Sequence, residues 1–245
     1  MLAALLLGAV LVACTPAIAL ADTARDANWS GYVAHRAGVS FKRIDGSWIE
    51  PSARCKPGLQ SFFAIWVGLG GYSVPALEQL GTDLNCGASG GASSGAWYEL
   101  PPADPIRIPI EIRPGDLIHA SVEASGKRVT MRLADLTRHK SFSKTATFLR
   151  GGLSSAEWIA EPPEPCNGST CGEPTRATDF GVLHFSDDAA WATTGHGGAI
   201  TNSAWGITKL IFSPPTPAVN GCAIPTSLQA SSTAFEVRYS TPRSC

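Results

Sequence analysis

Acidic side chains close to tryptophan are the residues of this sequence best suited to chemistry. Trp97 and Glu99 lie two residues apart in AWYELPP, and Glu157 and Glu161 lie on either side of a tryptophan in SSAEWIAEPP. Asp83 ends the string LEQLGTD. Burial in an apolar stretch raises the pKa of a carboxyl group and suits it to proton transfer. Each carboxylate is therefore a candidate acid or base, although a glutamate at a sheet margin needs no such role.

Other familiar catalytic patterns are missing from the sequence. The five histidines are scattered and none forms HExxH, so nothing supports a zinc hydrolase, and GxSxG is absent as well. A Ser-His-Asp triad stays open, because its members need only meet in space. We predict neither a metal ion nor a cofactor.

The first 21 residues form an apolar run that ends in Ala19-Leu20-Ala21, a pattern that a signal peptidase could cut. We therefore predict a signal peptide over 1–21 and a secreted protein. Leu11-Val12-Ala13-Cys14 also resembles a lipoprotein box, and lipidation of Cys14 would tether the protein to a membrane. A retained transmembrane anchor is the third alternative, although Pro16 interrupts a span barely long enough to cross a bilayer.

Six cysteines follow the predicted signal peptide, an even number that indicates three disulfides in a secreted chain. Six cysteines allow fifteen pairings. Proximity along the chain favours Cys166–Cys171 and Cys222–Cys245, which leaves Cys55–Cys86.

Charge gives no argument for a nucleic acid or membrane partner. The formal net charge is −1, and the 16% of charged residues include no basic cluster or basic helix. We exclude both partners, apart from a membrane tether at Cys14, and expect a monomer.

Alternation of apolar and polar residues is the dominant pattern in the rest of the chain. It predicts half-buried strands in residues 106–112, 117–124, 129–133 and 235–239. A continuous apolar run at 61–69 predicts a strand buried on both faces, although periodicity alone leaves a short helix open. Residues 113–116 and 124–127 are typical turns, 87–95 is a Gly/Ser-rich loop, and no long capped amphipathic helix is evident. We predict an all-β fold, an antiparallel β-sandwich. Residues 28–245 are expected to form this single domain, and 22–27 a linker or short propeptide remnant.

Several strings, taken in order, resemble the glutamic peptidases of the eqolisin group. They are NWSGY at 28–32, Trp66-Val67-Gly68, LEQLGTD at 77–83, AWYELPP at 96–102 and AEWIAE at 156–161. IEIRPGDLIHASVEASG and RLADLTRHKSFSKT between them are also similar to the family. The resemblance extends from about residue 28 to the C-terminus.

The resemblance implies a concanavalin-like or jelly-roll-like β-sandwich whose concave sheet binds protein or peptide substrates. It places the catalytic pair on Gln79 and Glu157. Glu157 would activate a water and later protonate the leaving amine, and Gln79 would stabilise the oxyanion. Residues that surround the pair in the family fall on Trp66, Asp83, Trp97 and Glu99. Glu161, four residues after Glu157, is a further candidate that either flanks the site or begins the loop to Pro162. Asp83 or Glu99 is expected to orient Gln79 or the water.

This sequence departs from the family at two places. Leu69-Gly70-Gly71 follows Trp-Val-Gly where an acidic residue is common, and Pro101-Pro102 follows the Tyr-Glu strand where an aromatic residue is common. One expected contact to the active centre is therefore in doubt.

A secreted acid endopeptidase is the first functional hypothesis. The second is a glycoside hydrolase that uses Glu99 and Glu157 as its carboxylate pair, and the third is a sandwich that binds carbohydrate or peptide without catalysis. The peptidase needs Gln79 beside Glu157, whereas the glycosidase needs its two carboxylates about 5 to 10 Å apart.

Overall fold

The protein is built from β-strands. The computed structural model describes residues 21–72, 74, 76–147, 152–167, 170–214, 221–228, 231–241 and 245, and the predicted signal peptide with Cys14 lies almost entirely outside them. These residues form strands β1 Asp22–Asp26, β2 Ser30–His35, β3 Phe41–Ile49, β4 Ser61–Gly70, β5 Leu77–Cys86, β6 Ala92–Glu99, β7 Ile106–Ile108, β8 Leu117–Ser125, β9 Arg128–Asp135, β10 Lys140–Thr147, β11 Ser155–Glu161, β12 Cys166–Asn167, β13 Thr170–Cys171, β14 Val182–Ala192, β15 Gly197–Ala199, β16 Gly206–Phe212, β17 Cys222–Pro225 and β18 Phe235–Ser240. The all-β prediction is confirmed.

Hydrogen bonds connect most strands in one path, β10-β9-β8-β3-β14-β18-β17-β16-β2-β11-β4-β5-β6-β7. The path folds on itself, so that β3 and β8 pack against β4 and β5. The result is the predicted β-sandwich. One layer, called the site sheet below, contains β16-β2-β11-β4-β5-β6-β7, with β1 added in parallel to β16.

Alternation along each strand sends one set of side chains into the space between the layers. Trp48 and Trp158 are fully buried there. Their indole N–H groups donate to the Thr82 hydroxyl at 3.0 Å and to the Asp45 carbonyl at 2.8 Å. Since these polar atoms are paired, burial of each ring stabilises the fold by roughly 2–3 kcal/mol.

Residues 22–26 are a strand, contrary to the linker or propeptide remnant that we expected for 22–27. Asp22 to Asp26 pair in parallel with Thr208 to Phe212 at the edge of the site sheet. Ala24 packs on apolar residues of that sheet. A short polar segment carries little periodic signal, and the unpaired edge of β16 supplies the hydrogen-bonding partners that order it.

The predicted strand over 106–112 is shorter in the structure, and the loop at 87–95 is partly a strand. β7 ends at Ile108 because Pro109 has no N–H to continue the ladder, and the Ile110 N–H donates to the Ile108 carbonyl in a turn. β6 begins at Ala92, so only 87–91 remain as the β5–β6 turn.

The three predicted disulfides are present: Cys55–Cys86, Cys166–Cys171 and Cys222–Cys245. Such bridges are typical of proteins from oxidising compartments. Within the described ranges, no helix is long and apolar enough to span a membrane.

Candidate active site

One transverse row of the site sheet carries the predicted catalytic pair. Glu157 on β11 is opposite Gly68 on β4, Gly68 is opposite Gln79 on β5, and Gln79 is opposite Glu99 on β6. Directly opposed residues of antiparallel strands project to the same face. The row therefore places three functional side chains on the outer face of the site sheet.

Gly68 separates Glu157 from Gln79 without a side chain of its own. With strands about 4.8 Å apart, the backbones of Glu157 and Gln79 are about 10 Å apart, a gap that two long side chains and a water can bridge. A Cβ at Gly68 would lie 2.9 Å from Leu77 Cδ1 and 3.3 Å from Gln79 Cβ. Because the Leu77 side chain and the Trp66 ring pack directly over Gly68, the strand between the pair has room only for glycine.

Glu99 orients Gln79. The Gln79 side-chain amide Nε2 donates to Glu99 Oε2 at 2.6 Å, while Gln79 Oε1 is buried and has no hydrogen-bond partner among the described residues. Burial raises the pKa of Glu99, the hydrogen bond from Gln79 offsets part of this, and Asp104 adds to it. The bond fixes which end of the amide faces Glu99.

Glu157 is a fully buried carboxyl, with 0% of its surface exposed. Neither carboxyl oxygen meets hydrogen-bond geometry with a described residue. Burial therefore raises its pKa well above the usual value, the Ser155 hydroxyl and the Tyr72 backbone offset this in part, and the Glu78 carboxyl adds to it. A carboxyl in this setting holds its proton in acid solution.

Trp66 and Trp97 form the next row, on either side of Gly81. Gly81 has no room for a side chain, because a Cβ there would lie 1.9 Å from the Ile65 carbonyl and 2.7 Å from Trp66 Cβ. Both indoles belong to an apolar cluster on the outer face, separate from the sandwich interior. They are therefore neighbours of the row Glu157, Gly68, Gln79, Glu99, on the face of the sheet that points away from the sandwich interior.

Asp83 lies away from Gln79, and its carboxylate pairs with Arg107 on β7 at 2.5 Å. Of the two carboxylates expected to orient Gln79, only Glu99 contacts it. Gly95 allows the ion pair, since a Cβ there would lie 2.5 Å from Arg107 Nη1.

Glu161 flanks the site from the end of β11. Its Oε2 accepts from Asn28 Nδ2 at 3.1 Å. Burial raises its pKa to about 8, the nearby Trp66 indole N–H offsets part of the shift, and Glu99, Glu164 and Asp26 add to it. Asn28 belongs to the NWSGY string, but no role had been predicted for it.

Sequence reasoning missed two residues beside the pair. Glu78 precedes Gln79, is 5% exposed, and has a pKa raised to about 7 by burial. Tyr72 lies beside Glu157 in the segment where the sequence departs from the family. The neighbouring leucines in LEQL were a usable signal that Glu78 is buried. Nothing in the pattern around Tyr72 indicates its location.

Metal chemistry finds no support in the side chains. Among the residues that the structure describes, no group of three or more His, Cys, Asp or Glu could hold a metal ion. The arrangement can transfer a proton at Glu157 and donate a neutral hydrogen bond at Gln79.

Comparison with known proteins gives the family. A sequence profile described as the peptidase A4 family matches residues 27–213. The fold is similar to that of scytalido-glutamic peptidase bound to a peptide-based transition state analogue, with a TM-score of 0.69 and 25% identity over 87% of this chain and 98% of that chain. Aspergilloglutamic peptidase from Aspergillus niger gives 0.59 and 25% over 73% of this chain and 99% of that chain.

A third similar structure is SCP-B, a member of the eqolisin family, in complex with the tripeptide Ala-Ile-His. Its TM-score is 0.67 at 24% identity, over 87% of this chain and 98% of that chain. Among curated proteins, no sequence matches significantly. Since the profile covers most of the sandwich, the protein is a peptidase. It belongs to the peptidase A4 family and is a glutamic endopeptidase.

Proposed function

We propose that this protein is a secreted acid endopeptidase in which Glu157 activates the attacking water and Gln79 stabilises the oxyanion. The observation that carries the proposal is the row Glu157, Gly68, Gln79, Glu99 on one face of the site sheet. The row places a proton-transfer group and an amide donor on one face, two strand spacings apart, and a scissile peptide and a water need both groups.

Peptide hydrolysis needs a base for the water, a donor for the developing oxyanion and an acid for the leaving amine. Glu157 can serve as base and then as acid, because the proton it takes from water is the one it returns. Gln79 stays neutral at every pH and cannot repel Glu157. A preorganised donor of this kind contributes roughly 3–4 kcal/mol to barrier lowering.

Burial of Glu157 sets a condition on its role as a base. The raised pKa keeps the unoccupied site protonated. Water that enters with a peptide must restore solvation before Glu157 can act as a base, since solvation favours the charged form. We therefore expect the active ionic form to arise in the complex with substrate.

The glycosidase alternative is disfavoured by the register. Glu99 and Glu157 are separated by three strand spacings, about 14 Å between backbones, and the Gln79 side chain lies between them. Secretion is supported by the three disulfides, and the relatives crystallised with peptide ligands support a peptide substrate.

The test is hydrolysis of a denatured protein from about pH 2 to about 7 by the purified protein and by Glu157→Gln and Gln79→Ala. We expect acid-side cleavage that pepstatin and chelators leave unchanged. It should fall about a thousandfold or more in Glu157→Gln and about a hundredfold or more in Gln79→Ala.

A matched control is Glu111→Gln, which makes the same substitution at an exposed carboxylate far from the row. It should retain wild-type cleavage, and circular dichroism should show all variants folded. Unchanged cleavage by Glu157→Gln would refute the assigned mechanism. No cleavage by the wild type at any pH would favour a binding module.

A further inference from the structure

The outer face of the site sheet is buried on the Glu157 side, although no second sheet among the described residues covers it. Val33 and Ile159 are 0% exposed, and Leu210 is 1% exposed, all on the same face as Glu157. Side chains on the free face of an antiparallel sheet are ordinarily solvated. Some other part of the chain must therefore shield this apolar floor, which is defined here as Val33, Ile159 and Leu210.

Four residues pack against the cluster that contains the floor: Ala24, Leu77 and two aromatic residues from loops. Of the two aromatic residues, Trp29 precedes β2 and Tyr72 follows β4. The Trp29 ring meets the Trp66 ring edge to face at 5.1 Å, and the Tyr72 ring lies 4.9 Å from the His35 ring. The Tyr72 backbone also lies beside Glu157.

The backbone beside Tyr72 abuts the Trp29 indole, because a Cβ on Gly71 would lie 3.1 Å from Trp29 Cη2. The backbone N–H of Trp29 donates to Asp26 Oδ1 at 2.9 Å, which holds the start of this segment in place. Tyr72 follows Gly70 and Gly71, whose φ values of 85° and 103° favour glycine.

We propose that Trp29 and Tyr72 form a cover over Glu157, and that a bulky apolar side chain of the peptide displaces Tyr72 to occupy the floor of Val33, Ile159 and Leu210. This inference rests on the peptidase function proposed above. It assigns an apolar subsite to the Glu157 side of the row and makes Tyr72 a determinant of specificity. A peptide that cannot fill the floor opens the cover without compensation.

Binding can be measured without turnover in Glu157→Gln. Peptides that carry Phe, Leu, Ala or Ser at the residues flanking the scissile bond are titrated while tryptophan emission and acrylamide quenching are recorded. We expect Phe and Leu peptides to alter the Trp29 signal, and the change to disappear in the Trp29→Phe, Glu157→Gln double variant. Binding that leaves Trp29 unperturbed would overturn the cover.

Kinetics test the same cover in the active enzyme. Tyr72→Ala should lower KM about tenfold at unchanged kcat, because a cover closed in about nine molecules of ten reduces apparent affinity by that factor. Tyr72→Phe keeps the ring and should not show the tenfold decrease in KM. A higher KM in Tyr72→Ala would mean that Tyr72 binds substrate directly, and a lower kcat that it supports the catalytic row; either result refutes the proposal.

Substrate preference tests the floor. The wild type should favour Leu over Ala at the subsite by about tenfold or more in kcat/KM, and Val33→Thr, which keeps the shape but adds a hydroxyl, should reduce that preference. If the enzyme cleaves peptides with no preference between Leu and Ala at this position, the proposed function stands and the subsite is refuted. If it cleaves no peptide, both proposals are refuted, so the two failures can be distinguished.

Discussion

Glu50 offers a direct test of how buried acids tune this fold to pH. It follows β3 and is 1% exposed. Its Oε2 accepts from the Thr82 hydroxyl at 2.7 Å, and Oε1 has no hydrogen-bond partner among the described residues. Burial raises its pKa to about 8, the hydrogen bond from Thr82 and the nearby Ser94 hydroxyl and Trp48 indole N–H offset part of the shift, and Asp83 adds to it.

The sign of the pH dependence follows from the two pKa values. The pKa of Glu50 is about 8 in the folded state against a reference of 4.5. The folded protein therefore binds this proton more tightly, and its contribution to the free energy of unfolding is complete below about pH 4.5. It declines as pH rises towards 8, and at pH 7 the loss amounts to roughly 3 kcal/mol.

Glu50→Gln should remove that loss. Glutamine is a neutral isostere whose carbonyl can still accept from Thr82, while its amide faces the nearby Ser94 hydroxyl. We expect the variant to equal the wild type in unfolding free energy near pH 4, and to exceed it by up to about 3 kcal/mol at pH 7.

Urea unfolding followed by tryptophan fluorescence, with disulfides intact, measures this difference at a series of pH values. Glu111→Gln is the control, because the pKa of Glu111 is lowered by Arg138 and Arg113 and its removal cannot stabilise the protein at neutral pH. A difference between Glu50→Gln and the wild type that does not change with pH would refute the reasoning.

Three further variants test the site. Glu99→Ala removes the acceptor of the Gln79 amide, so kcat should fall about tenfold to a hundredfold with little change in KM, as steady-state kinetics would show. Gly68→Ala places a methyl on the strand between Glu157 and Gln79. We expect kcat/KM to fall at least tenfold, while the free energy of unfolding in urea falls by only about 1–2 kcal/mol. Arg107→Ala leaves Asp83 without its cation and should lower stability near neutral pH by about 1 kcal/mol or less, since the guanidinium is largely exposed.

The strands that alternate cleanly could be predicted from the sequence. β8, β9 and β18 lie where period two placed them, because one face of each is buried and the other is more polar, and β4 lies where a continuous apolar run placed it. β1 could not, since DTARD has little apolar alternation and is ordered only by pairing with β16. The apolar-polar pattern of a segment does not indicate which distant strand will pair with it.

The candidate site needed more than local pattern. Periodicity puts Trp97 and Glu99 on one face of β6, but it cannot say that β11, β4, β5 and β6 are neighbours. Resemblance to a family supplied Gln79 and Glu157 as a pair. It could not supply Tyr72, which lies where this sequence departs from that family and where loop contacts decide the position.

The order of residues in the row Glu157, Gly68, Gln79, Glu99 is consistent with the proposed roles of an amide and a carboxyl in one reaction. If Gln79 were a carboxylate, it would lie between Glu157 and Glu99, and three acids in one row of the sheet would repel one another when ionised. The neutral amide removes that repulsion and satisfies Glu99 through its N–H at 2.6 Å. Gly68 lies between the amide and Glu157 and adds no side chain of its own. Because Gln79 carries a dipole and no charge, Glu157 can change its protonation state without a charged side chain two strands away in the same row.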